Sequence, residues 1–290
     1  MNPTCITNLS CNSTTHQLFL KNGIPIIECD TCHHRYADIG NLDNHLEEVY
    51  SDEYFFEGKA GYPNYLESRD LLIKAGNRYA RLISGYTAQG TMLDVGSAAG
   101  FIMKGFEMEG WKCYGVEPND TMASYGRENF HFDIQTGSLE NYSSDQKFDL
   151  VSMIQVIGHF YDLHQAIRNV KGLLRPDGLV LIESWNMKSL IAKLLGRRWH
   201  EYSPPSVLHW FSDTTIKQLF EKQGFRLIAK GHPIKKINVR HAVSLLDEKL
   251  PKFAFKKQIL KQADILAGKY SVIYPLHDLK WYIFKLPEVS

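Results

Sequence analysis

The sequence predicts an α/β protein with a mainly parallel sheet, preceded by a small cysteine-rich segment. Short apolar runs alternate with amphipathic stretches over residues 86–290, which is the pattern of strands joined by crossover helices. Four of the five cysteines lie within the first 32 residues. Apolar residues make up 44% of the 290 residues and charged residues 22%, so a disordered, collagen-like or low-complexity chain is excluded.

The charge balance indicates the class of partner. Lys and Arg number 33 and Asp and Glu 32, so the molecule as a whole lacks the positive field that steers proteins to nucleic acid. No apolar run approaches the roughly 20 residues of a membrane helix, and the first residues show no export signal. We therefore expect a cytoplasmic protein with a small-molecule partner, and neither nucleic acid nor a membrane.

Three regions follow one another along the chain. Residues 1–40 are polar and form the cysteine-rich segment, with a short strand-like run at 24–27. Residues 41–85 carry many aromatic side chains and then apolar residues at helical spacing, which predicts a loop followed by a helix. The remaining residues, 86–290, hold the sheet, with a helical insertion at about 241–268. Its strands are predicted at 91–95, 112–117, 132–135, 148–154, 179–184, 225–230 and 279–284.

A turn of small residues follows the first strand of the predicted sheet. From Gly96 to Gly100 the residues are small and open a helix, which lets a ligand lie against the backbone. Glu117 ends the next strand, where an acid can accept both hydroxyls of a ribose. Asp94 would repel the pyrophosphate of a dinucleotide, but it favours a cofactor that carries positive charge. The spacing therefore predicts a cationic nucleoside cofactor.

Four motifs in this order resemble those of the class I S-adenosylmethionine-dependent methyltransferases. They are 93–100, with Ala98 where glycine is usual, 114–118, 148–151 and 173–179. The resemblance covers about residues 45–290 and implies a Rossmann-like three-layer sandwich with a seven-stranded sheet and S-adenosylmethionine as cofactor. The residues that we expect to bind the cofactor are Asp94, Gly96, Ser97, Ala98, Gly100, Phe101, Glu117, Pro118, Ser138, Leu139, Ile154 and Gln155.

His159 is the candidate general base. It follows the fourth strand at the carboxyl edge of the sheet, where open α/β sheets place their ligands. Methyl transfer from a sulfonium is a direct displacement, so the protein aligns the reactants and, where needed, removes one proton. The alternative is a structural histidine that caps the next helix. Gln155 and Gly158 stand where the quinone-methylating branch of the family carries acids, so we predict no catalytic metal.

Aromatic residues and histidines crowd residues 185–213 and resemble the substrate-pocket segment of the small-molecule branch of the family. The expected acceptor contacts are Tyr62, Trp199, Tyr202 and His209, with His200 and Trp210 as further candidates. Ordinary loop packing is the alternative interpretation. In the earlier aromatic segment, the residues that would form a lid, or else would only pack against the first helix, are Tyr54, Phe55, Tyr62 and Tyr65.

The cysteine quartet predicts a structural zinc ion. Cys29 and Cys32 have the x2 spacing of a metal knuckle, and Cys5 and Cys11 have a looser x5 spacing. Four thiolates can surround a tetrahedral zinc ion. A neighbouring histidine is an alternative fourth ligand, and the candidates for this are His16, His33 and His34. A redox pair and reduced thiols in a mobile tail are the competing interpretations.

Together these features predict transfer of a methyl group from S-adenosylmethionine to a small-molecule acceptor. An RNA methyltransferase is the first alternative, because a zinc-bearing head before this domain would suit structured RNA, although the near-neutral charge argues against it. A cofactor-binding module without catalysis is the second. It is suggested by Ala98, Gln155 and Gly158, which stand where the family prefers other residues.

Overall fold

The computed structural model describes residues 14–40, 49, 51–52, 55, 65–234, 236–238, 271–273 and 277–287. The strands are β1 (Thr15–Lys21), β2 (Ile24–Cys29), β3 (Arg35–Ala37), β4 (Thr91–Val95), β5 (Lys112–Glu117), β6 (Asp133–Thr136), β7 (Phe148–Ile154), β8 (Leu174–Trp185), β9 (His209–Trp210), β10 (Arg226–Gly231), β11 (Lys236–Asn238), β12 (Ser271–Ile273) and β13 (Leu279–Lys285). The helices are α1 (Arg69–Ile83), α2 (Phe101–Met108), α3 (Asp120–Phe130), α4 (Leu163–Leu173), α5 (Leu190–Leu195) and α6 (Asp213–Glu221).

A seven-stranded sheet forms the centre, in the order β10-β13-β8-β7-β4-β5-β6. Strands β4 to β8 pair in parallel, whereas β13 is antiparallel to both of its neighbours. The carboxyl ends of the parallel strands therefore lie along one edge, which we call the carboxyl edge. The predicted α/β fold with a mainly parallel sheet is confirmed, and the predicted strands agree with the observed ones within a few residues except at the start of β8.

The alternation of side chains between the two faces of each strand explains why the sheet has a helical layer on each face. In β4, Leu93 and Val95 belong to a core cluster on one face with side chains of α4 and α6. Met92 belongs to the cluster on the other face, with side chains of α1 and α2. Successive strand residues point to opposite faces, so an apolar strand is buried by helices on both sides. The result is a three-layer sandwich.

Side-chain caps fix where the helices begin near the carboxyl edge. The Asn119 side chain accepts a hydrogen bond from the backbone N–H of Met122 at 2.8 Å and so caps α3 directly after β5. Asp162 caps α4 in the same way by accepting from Gln165 N–H at 2.8 Å. Each cap satisfies a backbone donor that has no partner inside the helix. The caps thereby hold the turns that carry the site.

The N-terminal part of the described chain forms a second, four-stranded antiparallel sheet with the order β1-β2-β3-β9. We call residues 14–40 the head. The fourth strand of this sheet, β9, belongs to the aromatic segment at residues 185–213. The head and that segment together bury Ile26, Trp199, Tyr202 and Trp210. The sequence predicts only one short strand and little core in the head. The structure differs because the head shares its core with residues about 170 positions later.

Residues Pro233–His277 form a separate compact unit. Within it, β11 and β12 pair antiparallel, with Lys236 opposite Ile273. The predicted helical insertion at 241–268 lies outside the described residues. Among the helices of the described ranges, none combines the length and the apolar character that a bilayer crossing requires.

Candidate functional site

The turn after β4 has a backbone that favours glycine. Gly96 and Gly100 have φ angles of 66° and 77°, which is the left-handed region. A Cβ atom on Gly96 would lie 2.7 Å from Cγ2 of Val156, so a side chain there would force the next turn outward. Ala98 also lies in the left-handed region, at φ 44°, although it carries a side chain. The turn therefore holds the backbone close to the carboxyl edge at a cost in strain.

Asp94 lies next to this turn and is buried. Its Oδ1 atom accepts a hydrogen bond from the Ser152 hydroxyl at 2.5 Å, across the β4–β7 pair. Burial raises the pKa of this carboxyl to about 7, and the Ser152 hydrogen bond lowers it only in part. A buried carboxyl with this pKa is stabilised by any cation that binds beside it.

Glu117 ends β5 and is buried as well. Its two oxygens each accept one backbone hydrogen bond, Oε2 from Ala98 N–H at 2.8 Å and Oε1 from Asn119 N–H at 2.9 Å. Burial raises the pKa to about 7 against these hydrogen bonds, and the nearby Asp94 adds to the rise. Each oxygen has two lone pairs, so the fixed carboxylate keeps acceptor capacity for a ligand with two hydroxyl groups.

A cavity at the carboxyl edge brings these groups together. Ten of the twelve predicted cofactor residues line it, namely Asp94, Gly96, Ser97, Ala98, Glu117, Pro118, Ser138, Leu139, Ile154 and Gln155. Within the described part of the chain, the buried Ser97 hydroxyl has no hydrogen-bond partner. An unsatisfied buried hydroxyl beside two buried carboxyls fits a polar ligand. The arrangement can bind a nucleoside that carries positive charge.

The two remaining predicted cofactor residues do not line the cavity. Gly100 opens α2, and Phe101 is fully buried below the turn. The Phe101 ring stacks on Tyr65 with a centroid distance of 5.5 Å, and Tyr65 contacts Phe55 edge-on at 5.7 Å. Phe55 and Tyr65 both line the cavity, whereas Tyr54 and Tyr62 lie outside the described residues. Phe101 therefore supports the aromatic wall from below.

The cavity is also lined by residues outside the twelve predicted ones. The family resemblance implies Val156 on its wall, whereas Phe160 and Glu140 were missed as site residues. Val156 and Phe160 form part of its wall on the side of β7, and Glu140 lies near the Ser138 turn. Burial raises the pKa of Glu140. Phe160 carries no signal in its residue type, but Glu140 stands close to Ser138 and Leu139, which the sequence analysis names as cofactor residues. An acid in that turn was the available signal.

His159 lines the same cavity, on the turn after β7. Its Nδ1 lies 2.7 Å from the carbonyl oxygen of Ser206, which can only accept, so the neutral ring carries its proton on Nδ1. Burial lowers the pKa of His159, which favours this neutral form, whereas hydrogen bonds to the backbone of Ser206 and Gln155 act in the opposite direction. Leu208 N–H donates to the carbonyl oxygen of Gly158 at 2.8 Å and fixes the turn against the aromatic segment.

The predicted acceptor contacts Trp199, Tyr202 and His209 are not among the residues that line the cavity, so their contact with an acceptor stays a prediction. Trp199 Nε1 donates to Asp278 Oδ2 at 2.9 Å, and Arg35 Nη1 donates to the Tyr202 hydroxyl at 2.5 Å. His209 Nδ1 lies 3.3 Å from Nε2 of the head residue His34. The further candidates, His200 and Trp210, also lie outside the lining residues. These large rings pack against the head because β9 pairs with β3.

The described half of the cysteine quartet lies at the end of β2 and in the turn that follows. Cys29 is buried, and Cys32 N–H points to its sulfur atom at 3.5 Å. Cys5 and Cys11 lie outside the described residues, and within the described ranges no cluster of three or more His, Cys, Asp or Glu side chains forms a metal site. Two of the histidines considered as ligands contact acids instead. His16 contacts Asp30 and His33 contacts Glu28.

Comparisons with known proteins agree with this geometry. A family model described as a methyltransferase domain matches residues 68–230, which is more than half of the chain. The ubiquinone biosynthesis O-methyltransferase of Rhodopseudomonas palustris (strain BisB5) is 24% identical over 169 residues, covering 55% of this chain and 66% of that protein. The protein of the same name from Rickettsia felis is 25% identical over 147 residues, covering 43% and 60%. The chain thus spans less than two thirds of the length of both relatives.

A solved structure shows the same fold. The S-adenosylmethionine-dependent methyltransferase of Thermotoga maritima, described as a possible histamine N-methyltransferase, superimposes with a TM-score of 0.53 at 15% identity. The match covers 84% of this chain and 99% of that one. With the family match over residues 68–230, the chain belongs to the methyltransferase-domain family and has the class I S-adenosylmethionine-dependent methyltransferase fold.

Proposed function

We propose that the protein transfers a methyl group from S-adenosylmethionine to a small-molecule acceptor by direct displacement. The observation that carries the proposal is the pair of buried carboxyls, Asp94 and Glu117, which line one cavity and both have a pKa raised to about 7. Burying two acids side by side is unfavourable unless a cation or a strong donor joins them. The family match to a methyltransferase domain supports the same conclusion.

Different cavity residues contact different parts of the cofactor. Glu117, held by two backbone N–H groups, accepts the ribose hydroxyls, and Asp94 attracts the ammonium group. The Ser97 hydroxyl supplies a further donor or acceptor. Leu139 and Ile154 offer apolar contacts to the purine. When bound, S-adenosylmethionine supplies a methyl group on a sulfonium, which leaves as a neutral thioether.

His159 acts on the acceptor. The Ser206 carbonyl orients the ring through Nδ1, and His159 takes the proton that the acceptor loses as its methyl bond forms. The lowered pKa favours the neutral ring, which is the form that can accept a proton. The names of the two curated relatives favour a hydroxyl as the accepting group. We place the reaction in the cytoplasm.

Substitution of His159 tests the chemistry separately from cofactor binding. Isothermal titration should show that the wild type binds S-adenosylmethionine, and a screen of phenols and other small hydroxyl compounds should then reveal the acceptor through formation of the demethylated cofactor. His159→Ala should bind the cofactor normally and turn over at least tenfold more slowly. His232→Ala is the matched control, because His232 Nδ1 also contacts a backbone carbonyl oxygen, at 3.0 Å, but lies outside the cavity.

Two results would contradict the proposal. Failure to bind S-adenosylmethionine at high micromolar concentration would exclude the cofactor. Equal turnover of His159→Ala and wild type would remove His159 from the mechanism. Cofactor binding without turnover of any acceptor in the screen would favour the cofactor-binding module.

We also propose a structural zinc ion held by Cys5, Cys11, Cys29 and Cys32. The contact of Cys32 N–H with the Cys29 sulfur is the geometry of a metal knuckle and supports the proposal. Elemental analysis of the purified protein should find about one equivalent of zinc, which Cys29→Ser should lose. Cys113→Ser should keep it, because Cys113 is buried between the sheet and α2, near the carbonyl oxygen of Met103. A wild type without zinc would instead favour a redox pair or reduced thiols.

A further inference from the structure

The short helix α5 presents two leucines to solvent. The Leu190 and Leu194 side chains are 74% and 73% exposed, and they lie one turn apart on the same side of the helix. The opposite side is attached to the protein, since Ala192 is buried in the head core and Leu195 packs against it. The helix is thus fixed on one side and apolar on the other. Exposing two leucines together is unfavourable in water.

Basic residues surround the two leucines. The cations Lys188 and Lys193 lie before and on the helix, and Arg197 and Arg198 follow it, all four being exposed. The stretch 184–200 contains these four Lys and Arg residues and no Asp or Glu. Among the described residues, Lys193, Arg197 and Arg198 make no salt bridge. We call Leu190, Leu194 and these four cations the basic-leucine face.

The other large apolar side chains exposed on the described surface stand singly and not in pairs one helical turn apart; they are Leu20, Tyr86, Met108, Tyr161 and Ile234. Met108, which is 61% exposed, stands between Glu107 and Glu109 at the end of α2. Single exposed apolar residues are normal on protein surfaces. Paired leucines with cations on both sides are the pattern of a helix that lies in a membrane interface.

We propose that the basic-leucine face binds the anionic surface of a lipid bilayer, with α5 lying along the interface. Leu190 and Leu194 enter the boundary between headgroups and acyl chains, and the four cations pair with lipid phosphates. The near-zero net charge of the chain is compatible with this, because screening at physiological salt confines each charge's influence to about 8 Å and the patch acts locally. A protein partner would need acids placed to match the four cations. An anionic bilayer offers phosphates for the cations and acyl chains for the leucines at the same surface.

The face lies in a defined place in the fold. Helix α5 comes four residues after β8 ends, and β8 runs parallel to β7 and β4, so α5 follows the carboxyl edge where the cavity is found. Membrane binding does not depend on methyl transfer, and it can be measured without cofactor or acceptor. The two proposals can therefore fail separately.

Vesicle flotation of the full chain tests the proposal. Wild-type protein should float with phosphatidylcholine vesicles that contain about 30% phosphatidylglycerol and should remain unbound with phosphatidylcholine alone. Leu190→Gln with Leu194→Gln should weaken partitioning at least tenfold, because glutamine keeps the helix but removes the apolar side chains. Arg197→Gln with Arg198→Gln should weaken it about twenty-fivefold at low salt, at roughly fivefold per cation. Met108→Gln, at the exposed methionine between two acids, should bind like the wild type.

The controls separate a folding defect from a lost surface. Thermal melting of each glutamine variant should match the wild type, since the changed side chains are exposed. Equal binding to neutral and anionic vesicles, or normal binding by the double leucine variant, would overturn the proposal. A wild-type dimer that the double leucine variant breaks, seen by sedimentation velocity without vesicle binding, would also overturn it and assign the face to a contact between copies.

Discussion

The carboxyl edge of the sheet and the junction between the head and the aromatic segment both bury polar side chains, but they use them differently. At the carboxyl edge, Asp94 and Glu117 keep acceptor capacity toward a cavity, and burial raises the pKa of each to about 7. At the junction, Trp199 donates to Asp278 and Arg35 donates to Tyr202, at 2.9 and 2.5 Å. Buried carboxyls that line a cavity indicate a ligand site, whereas the junction pairs lie outside the lining residues and indicate packing.

The largest expected effect tests the packing side of this comparison. Trp199→Ala should lower the free energy of unfolding by about 3–5 kcal/mol, because it opens a cavity in a fully buried site and leaves the Asp278 carboxylate without its donor. Denaturant titration measures the loss. Trp199→Phe keeps most of the ring and should cost about 1–3 kcal/mol. The cofactor affinity of the folded fraction should stay unchanged. A selective loss of acceptor binding would show instead that Trp199 contacts the acceptor.

Glu117→Ala tests the ligand side of the comparison. It should weaken S-adenosylmethionine binding about a hundredfold, since it removes two charge-assisted hydrogen bonds. Isothermal titration measures the change. The control is Glu28→Ala in the head, where Glu28 accepts from Arg35 Nε at 2.6 Å and is not among the residues that line the cavity. Glu28→Ala should lower stability and leave cofactor affinity within twofold, and the opposite result for either variant would break the comparison.

The shifted pKa values predict that stability changes with pH in opposite directions for two groups of acids. Asp94 and Glu117 have folded pKa values raised to about 7, so folding holds their protons and cofactor-free stability should fall as pH rises from about 4 to about 7. Asp213 is the contrast. Burial raises its pKa, but hydrogen bonds from Lys230 and Lys280 lower it to about 2, so its contribution is present above pH 4 and is lost as pH falls toward 2.

Cofactor affinity should depend on pH in the opposite direction to the cofactor-free stability contributed by Asp94 and Glu117. A cationic ligand favours the ionised carboxyls, so affinity for S-adenosylmethionine should rise by up to about tenfold between pH 6 and 7 and binding should release protons. Titration calorimetry in buffers of different ionisation enthalpy measures the protons released. An affinity that does not change from pH 6 to 8 would show that these carboxyls are ionised before the ligand arrives.

The smallest expected effect concerns the strained turn. Ala98→Gly should raise the free energy of unfolding by about 0.5–1 kcal/mol, because glycine adopts φ 44° without the steric cost of a Cβ atom. Denaturant titration can resolve a change of this size. Cofactor affinity should stay within twofold, because Ala98 contacts Glu117 through its backbone N–H. A loss of stability would mean that the methyl group of Ala98 contributes packing that outweighs the strain.

The sheet and the residues that line the cavity at its carboxyl edge could be predicted from the sequence because their signals are local. Apolar runs and the glycine turn lie within a few residues of Asp94 and Glu117, and the acids end consecutive strands along the chain. The role of Trp199, Tyr202 and His209 could not be predicted in the same way. Their position depends on the pairing of β3 with β9, which joins residues about 175 positions apart. Residue type alone does not distinguish an aromatic pocket from an aromatic core.

The place where the separate unit leaves the sheet has a consequence for how the chain can change. Strands β10 and β13 are hydrogen-bonded neighbours, with Gly231 opposite Trp281, so the unit Pro233–His277 begins and ends at adjacent points. The entropic cost of closing such a connection grows by only about 0.6 kcal/mol for each doubling of its length. The connection between these two strands can therefore vary in length while the pairing of β10 with β13 is kept.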